Sequence, residues 1–466
     1  MEMKKLILFA VVALVVAVGT NAYAELKNVE VGGSVRVRWE RLDPLAFDDD
    51  NPGDDFASST IRLNVGAELT EGVSAFIELQ EIDIWGDLDD MRVGFPGPSY
   101  GYWDYDIYGE MASTSIVGVP PSLFDEDGFS LYQGYILMQD VGGYEGISLK
   151  IGRQELAYGT EFILGNNDFG PGLSYDAAAA IWAQDDVRVD LFAAKLAEGR
   201  TRWGTEDDAD VDLYGIYSSY LGLEDIVVDS YFVFLRAADI RWDWPGQLPV
   251  PEVPSSDDDP LQLYTIGGRI GGMYDWVDYN LEGAFQWGDN GWGGDYEGWA
   301  LDAGVGYTFD VDMNPRIGFN YTFSSGDDDE YDDNVETFLA PFSDNYHRYG
   351  YMDLFGLGNL NVFKWSATAD PTEKIGVGLH ALHFLAVEHE DRIAPFSFWA
   401  GGPNTGQEAR SDTIGTELDL VADYAYSEDL CFELAFAYFW PGPYIRQTFG
   451  ARDDVYRIYL QAKLDF

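Results

Sequence analysis

The chain has little cysteine, few basic residues and no long apolar run beyond its N-terminus. A single cysteine, Cys431, excludes an internal disulfide framework and a cysteine-rich zinc or haem site. The 27 lysines and arginines stand against 82 acidic residues, which excludes an intact basic surface for nucleic acid. No later stretch approaches 18 uninterrupted apolar residues, so the sequence predicts no transmembrane helix.

Histidine is scarce as well, and the four histidine residues give no support for catalysis. His380 and His383 lie three positions apart on an expected strand, so their side chains face opposite sides and cannot bind one ion without a bulge. No set of serine, histidine and aspartate occurs at an interpretable spacing. We therefore expect neither an enzyme nor a bound organic cofactor.

The N-terminus has the pattern of a secretory signal peptide, residues 1–24. Lys4 and Lys5 precede an apolar run over 6–18, and Ala22-Tyr23-Ala24 supplies a small-x-small cleavage site. Cleavage removes these two lysines and Glu2, which moves the formal charge from −55 to −56. Because 46% of the residues are hydrophobic, the chain is too apolar for an acidic disordered protein. We expect residues 25–466 to form one domain.

Alternating segments recur along the whole mature chain, and eighteen of them read as strands. The connections between them alternate short and long: Glu71-Gly72 and Pro371-Thr372 are short, whereas 85–128 and 325–357 are long. Tight turns at one rim and long loops at the other are typical of an outer-membrane barrel, whereas a row of soluble sandwiches has no reason to alternate in this way. The expected strands are 29–41, 58–70, 72–84, 129–140, 145–155, 173–183, 185–196, 210–221, 225–237, 261–272, 276–288, 296–309, 313–324, 358–370, 373–386, 411–425, 428–440 and 453–466.

The last segment shows the two faces most clearly. Tyr456, Ile458 and Leu460 point one way, while Arg457 and Lys463 point the other. Aromatic residues lie near many strand ends, where two membrane interfaces favour them. The sequence therefore predicts an all-β, transmembrane antiparallel barrel of about 18 strands, with an interior wide enough for an aqueous channel.

Four blocks spread over the chain resemble the alginate export family. They are Ile151-Gly-Arg-Gln-Glu-Leu-Ala-Tyr-Gly159, Phe323 to Asp329, His347 to Asp353 with Gly358 to Asn361, and Thr413 to Leu420. The resemblance implies an outer-membrane barrel of a Gram-negative (diderm) bacterium that exports a polyanionic polysaccharide through a narrow part lined with arginine and lysine. It also implies that the terminal Phe466 is the signal read by the barrel-assembly machinery.

Charge is distributed unevenly between loops and strands. Loops 42–57, 85–128, 238–260 and 325–357 together hold 30 acidic residues against three arginines. Basic residues lie instead on strand faces that are expected to line the lumen. The candidate pore-lining residues are Arg36, Arg38, Arg62, Lys150, Arg153, Arg188, Arg269, Arg316, Arg457, Lys463, Glu417 and Asp419. They form either an electrostatic track for a charged solute or pairs that only stiffen the wall.

Arg153 conflicts with the alternation of its own strand. If Ile147, Leu149 and Ile151 face lipid, Arg153 faces lipid too, at a cost of roughly 2–4 kcal/mol at the bilayer midplane and far less near the rim. Either a bulge turns Arg153 inward or the residue lies at the outer interface. The resemblance favours the inward position, and we take that as the expectation.

The acidic run in loop 325–357 is a candidate Ca²⁺ site because it is dense in hard oxygen ligands. Its spacing does not match an EF-hand loop, and a solvated acidic loop or ions that bridge it to lipopolysaccharide are the alternatives. The candidate ligands are Asp327, Asp328, Asp329, Asp332 and Asp333.

The combined pattern predicts a channel for passive, selective passage, in the direction of export, of a charged saccharide such as alginate or another uronate. A general or ion-selective porin is the first alternative. The second is a surface-structural barrel whose acidic loops bind divalent cations and lipopolysaccharide. Loop 85–128 is expected either to fold into the mouth as a constriction or to cap the barrel outside.

Overall fold

The computed structural model describes residues 27–44, 53–85, 129–197, 211–237, 260–291, 293–329, 332–344, 346, 348–389, 391, 409–448 and 453–466. The expected signal peptide and residues 86–128 of the long loop lie outside this part of the chain, so both expectations stay predictions. Within it, eighteen strands match the eighteen that the alternation predicted, with ends that differ by a few residues. The strands, β1 to β18, are Lys27–Asp43, Asp54–Thr70, Val73–Trp85, Ser130–Met138, Ile147–Gln154, Tyr175–Gln184, Val187–Ala197, Val211–Leu223, Ile226–Ala237, Leu261–Tyr274, Val277–Asp289, Asp295–Thr308, Arg316–Ser324, Leu360–Thr372, Ile375–Leu385, Thr413–Ala425, Leu430–Pro441 and Val455–Asp465.

Every strand pairs antiparallel with its neighbours in the chain, and β1 also pairs with β18, which closes the sheet. At this seam Arg36 lies opposite Lys463, and the backbone N–H of Phe466 donates to the Gly33 oxygen at 3.0 Å. The predicted closed all-β barrel of eighteen strands is confirmed. Closure is what lipid requires, because a strand edge in hydrocarbon would leave backbone groups unpaired.

Short turns lie at one rim of the barrel and long connections at the other. Gly72, in the two-residue turn between β2 and β3, has a φ of 72°, a conformation that costs glycine little. Apart from strands, the described residues hold a 3-10 turn at Val141–Gly143 and a six-residue helix, α1, at Pro443–Thr448. None of the helical segments described is long and apolar enough to cross a membrane.

The two faces of the strands differ in character. Outward positions carry exposed apolar side chains such as Val31, Leu191 and Leu460. Inward positions carry charged and polar side chains, among them Arg38, Glu282 and Asp302, that are nonetheless buried. Burial inside a wide barrel requires something to cover these groups. That cover comes from two long connections that fold inward.

The first is the β5–β6 loop, residues 155–174, and the second is the β13–β14 loop, residues 325–359. Each contributes large apolar side chains to the core, for example Phe162 and Leu173 from the first and Phe338 and Phe355 from the second, all 1% exposed. They pack on inward-facing residues of the wall. The apolar core of this protein therefore lies inside the barrel, where the loops meet the strands.

Candidate functional site

The two inward loops contact each other across the interior. The N–H of Gly165 donates to the Phe342 oxygen at 2.7 Å, and the N–H of Asp344 donates to the Glu161 oxygen at 2.9 Å. Leu164 and Phe342 form a parallel β-bridge. We call this contact the loop junction. The loop junction occupies part of the barrel interior, which the strands alone would leave open. It therefore narrows the bore.

Basic residues at the seam hold the β5–β6 loop against the wall. Arg36 donates to the Gly170 oxygen at 2.7 Å, and Arg38 donates to the Phe169 oxygen at 3.0 Å. Arg62 and Lys463 both reach the Asp168 carboxylate, at 2.8 and 3.3 Å. These four predicted lining residues thus face the interior, as the alternation required, and they bind a loop of the chain itself.

Arg457 does the same for the β13–β14 loop. It is 3% exposed, pairs with Glu40 at 2.6 Å and donates to the Tyr351 oxygen at 3.1 Å. On the strand two places earlier in the chain, Glu417 accepts the N–H of Met352 at 2.9 Å. Asp419 lies beside Glu417 and is fully buried. Arg457 and Glu417 therefore contact the same loop segment from different strands.

The remaining predicted cations on inward faces are matched by carboxylates or rings. Arg188 pairs with Asp190 at 2.8 Å, Arg269 with Asp229 at 2.6 Å and Arg316 with Asp278 at 2.6 Å. Lys150 lies 4.1 Å from the centre of the Tyr135 ring. Pairing along the wall is thus common, which is one of the two roles that the sequence left open, and substrate binding by these residues stays a prediction.

Arg153 requires a correction. It makes two hydrogen bonds to Asp176, at 2.7 and 2.8 Å, on the outward face of β5 and β6. The neighbouring Tyr175 is buried and contacts Phe342 inside the barrel, which fixes Asp176 on the other face. No bulge inverts β5 between Ile151 and Arg153. The expectation of an inward Arg153 was wrong, because the residue lies at the strand end, where the cost of facing outward is small.

A cavity of about 610 Å³ opens between the loop junction and the rim of short turns. Its walls come from β11 to β14 on one side and from both inward loops on the other. Charged groups of both signs line it: Glu161, Asp278, Arg316, Asp344, Arg348 and Lys364. A solute that passes the junction on this side of the bore meets these groups.

Arg348 is central to this arrangement. It pairs with Asp302 on β12 at 3.2 Å, donates to the Thr160 oxygen of the β5–β6 loop, and lies 5.3 Å from the Phe162 ring centre. It therefore connects both loops and the wall. In the sequence Arg348 was one of three arginines in acidic loops and lay in the block His347 to Asp353, but it was not among the predicted lining residues. Lys364 was not among the predicted lining residues. It lies two positions after buried Val362 on β14, so the alternation of that strand places it on the inward side.

Ionisation of the loop groups depends on burial and on their partners. Burial and the nearby Glu161 carboxylate raise the pKa of Asp344 from 3.8 to about 7. Burial raises the pKa of Asp353 to about 6, against the opposing effect of Arg457 and Arg38. Asp168 differs because the charges of Arg62, Arg36 and Lys463 outweigh burial and lower its pKa to about 2. The loop junction is thus poorly solvated. Of these three carboxyl groups, only that of Asp168 has enough cations around it to stay ionised across the neutral pH range.

The acidic run of the β13–β14 loop is brought together only in part. Carboxylate oxygens of Asp327, Asp328 and Glu336 lie within 4.8 Å of one another. Asp329, Asp332 and Asp333 are not in this group; Asp332, for example, accepts the N–H of Asn334 at 2.7 Å. Calcium binding here stays a prediction, with Glu336 in place of those three aspartates.

Comparison with known proteins gives one family and one fold. The family model described as alginate export matches residues 27–457, nearly the whole chain. No curated protein sequence matches the chain.

Solved structures from Pseudomonas aeruginosa share the architecture. OccK8 (OprE) superposes with a TM-score of 0.56 at 12% identity, covering 94% of this chain and 98% of that one. OccD3 (OpdP) gives 0.55 at 10% identity over 96% and 94%. OccK11 (OpdR) gives 0.54 at 11% identity over 94% and 96%. At such low identity these similarities establish the fold.

Proposed function

Because the chain belongs to the alginate export family, we propose that this outer-membrane channel passes a charged saccharide, an oligo- or polyuronate, in the direction of export. The family and the porin-like barrel make it a channel of the outer membrane and not an enzyme. We propose a uronate as the solute for two reasons. The family description names alginate, and the cavity of this chain offers cationic groups that can bind carboxylates. Passage is passive in this proposal.

The single observation that carries the proposal is the set of cations at the 610 Å³ cavity beside the loop junction. Arg316 and Arg348 present guanidinium groups, which bind carboxylates by parallel hydrogen bonds. Lys364 adds an ammonium group on the neighbouring strand. The acids Asp278 and Asp302 that pair with the arginines keep them from holding an anion permanently. Binding that is strong enough to admit a solute and weak enough to release it is what conduction requires.

The test is single-channel recording in planar bilayers with a defined oligouronate. Parent channels are expected to show transient blocks by the oligouronate. In Lys364→Gln the concentration that gives half-block should rise about 3- to 10-fold, since one partly screened charge pair is lost. Lys374→Gln, which removes a cation from an exposed turn instead, is the matched control. Equal block in parent and Lys364→Gln, or no block by any uronate, would contradict the proposal.

A cation-selective porin is the second candidate, because acids also line the cavity. Glu161, Asp278 and Asp344 face the same space as the three cations. Rings of carboxylates favour small cations in pores. The reversal potential in a KCl gradient separates the two: a strong cation preference together with no uronate block supports this second function.

Three proposed partners follow from the same assignment. Outer-membrane lipid contacts the apolar outward face, lipopolysaccharide lies around the loop rim, and the barrel-assembly machinery reads Phe466. That residue is 60% exposed, and its backbone is hydrogen-bonded into the seam. Truncation of Phe466 should slow assembly into membranes, which pulse-labelled heat-modifiability gels can measure.

A further inference from the structure

The outward face of β5 to β9 carries one uninterrupted row of charges. Arg153 lies opposite Asp176, Asp176 opposite Lys195, Lys195 opposite Asp212 and Asp212 opposite Arg236 in the strand registers. The signs alternate along all five strands. We call these five residues the charged row. Two of its neighbouring pairs are ion pairs, Arg153 with Asp176 at 2.7 Å and Lys195 with Asp212 at 3.0 Å.

The row lies on the face that meets lipid. On β7, Lys195 lies an even number of residues from Leu191, which is 57% exposed. On β8, Asp212 lies an even number of residues from Ile216, which is 38% exposed, so both members of the row face outward. The inward neighbours Leu196 and Leu213 are buried. A charged side chain on this face costs free energy in the hydrocarbon layer, and the cost falls to nearly zero at the edge of that layer. The row must therefore mark a depth outside the hydrocarbon.

An aromatic row fixes that depth. Tyr214, Phe234, Tyr264 and Trp287 lie opposite one another, with ring centres 6.0, 4.6 and 5.7 Å apart. Each lies two positions closer to the midplane than the polar residue at the end of its strand. Such rings settle at the membrane interface, and two positions along a strand span about 7 Å. The charged row therefore lies within the headgroup layer, at the rim of long loops.

We propose that the charged row is a binding site for a lipid whose headgroup carries more than one phosphate, such as the lipid A of the outer leaflet. Successive cations of the row are separated by two strand spacings, about 10 Å, so one polyphosphorylated headgroup engages more than one of them. Phosphate accepts hydrogen bonds from Arg153, Lys195 and Arg236. Asp176 and Asp212 face the divalent cations that link such headgroups to one another. A lipid with one phosphate satisfies only one cation and gains nothing from the repeat.

The experiment is native mass spectrometry of the full-length folded barrel in detergent with diphosphorylated lipid A as the probe. Arg153→Gln combined with Lys195→Gln and Arg236→Gln is expected to bind lipid A about 10- to 100-fold more weakly than the parent. The matched control removes three cations elsewhere, by Lys150→Gln, Arg188→Gln and Lys374→Gln, and should bind as the parent does. Phosphatidylethanolamine should bind parent and variants alike.

A second variant covers the case in which the first does not fold. Asp176→Asn with Asp212→Asn keeps the three cations and should bind lipid A more tightly than the parent when divalent ions are removed. Equal lipid A binding by the triple variant and the parent would overturn the proposal. So would displacement of lipid A by inorganic phosphate at the same concentration, because the site would then recognise phosphate alone. The proposal does not depend on the solute that passes through the bore.

Discussion

At the scale of single residues, Arg457 shows how an expected substrate ligand becomes a structural one. The alternation of β18 placed its side chain inside the barrel, which is where it lies. There it meets Glu40 on β1 and two backbone oxygens, of Tyr351 and Met352, in the β13–β14 loop. Because guanidinium has five donors in a planar fork, one side chain satisfies a carboxylate and a loop together. Its burial leaves no surface for a solute.

Replacing Arg457 by glutamine should therefore destabilise the barrel and release the loop. Among the described residues, the change leaves buried Glu40 with Arg38 as its remaining ion-pair partner, and breaking a buried pair costs about 3–5 kcal/mol. We expect a lower temperature for loss of the folded band on heat-modifiability gels. Arg153→Gln is the control, because its partner Asp176 is 58% exposed and the pair should contribute only about 0–1 kcal/mol. If both variants unfolded at the parental temperature, Arg457 would not anchor the loop.

At the scale of elements, the strands were predictable and the inward loops were not. Because lipid lies outside and water inside, apolar and polar residues alternate along every strand with a period of two. The sequence therefore predicts which side Leu191 and Asp190 face. The contacts of Gly165 with Phe342 join loops far apart in the chain and leave no local pattern. Hence the predicted lining residues other than Arg153 lie on the inward faces that the alternation indicated, whereas their contacts with the loops, and those of Asp168 and Arg348, leave no local pattern in the sequence.

Arg153 illustrates the opposite lesson, since the local pattern predicted its position better than the resemblance did. Parity with Ile151 indicated the outward face, and only the family argument favoured the lumen. In the structure the ion pair with Asp176 accounts for a charge on that face. Alternation is imposed by backbone geometry at each residue, whereas a matching block carries no information about which side a residue faces.

The loop junction should weaken as pH rises. Asp344 has a pKa of about 7 in the folded junction against an ordinary 3.8, so the folded state binds more protons between these values. Its contribution to stability is complete below about pH 4 and is lost as pH approaches 7. Glu161, Asp353 and Arg348 are the charged groups that act on it, and the two acids add to the effect while Arg348 opposes it. Protease cleavage of the β13–β14 loop in folded barrels should increase from pH 4 to pH 8.

Asp344→Asn should remove most of this pH dependence, because asparagine stays neutral throughout. Asp332→Asn, at an exposed position of the same loop, serves as the control and should keep the parental profile. Asp168 works in the opposite sense, since its pKa of about 2 means that its contribution is present above 3.8 and fades only as pH falls toward 2. A profile unchanged by Asp344→Asn would show that another group controls the junction.

At the scale of the whole molecule, charge is arranged so that the two mouths differ. Three long connections that join strands at the loop rim, 42–57, 85–128 and 238–260, hold 21 acidic residues in the sequence, whereas cations such as Arg316 and Lys364 line the cavity toward the turns. The summed field of a chain at −55 repels an anionic polymer, and we expect the repulsion to be strongest on the side of these connections. In the proposed function, a uronate that enters from the turn side meets these acids only as it leaves the channel. The asymmetry is expected to make capture of the solute slower from the loop side than from the turn side, whereas the direction of net passive flux follows the solute gradient.

This arrangement predicts a directional block that salt removes. In oriented single channels at about 0.01 M salt, where the Debye length is about 30 Å, an oligouronate added on the turn side should block several times more often than on the loop side. At about 1 M salt the Debye length falls to about 3 Å and the two frequencies should converge, because loop acids no longer act at a distance. A neutral oligosaccharide of equal length is the control and should show no such salt dependence. Equal block frequencies from both sides at low salt would mean that the loop acids do not repel the solute and have no part in its capture.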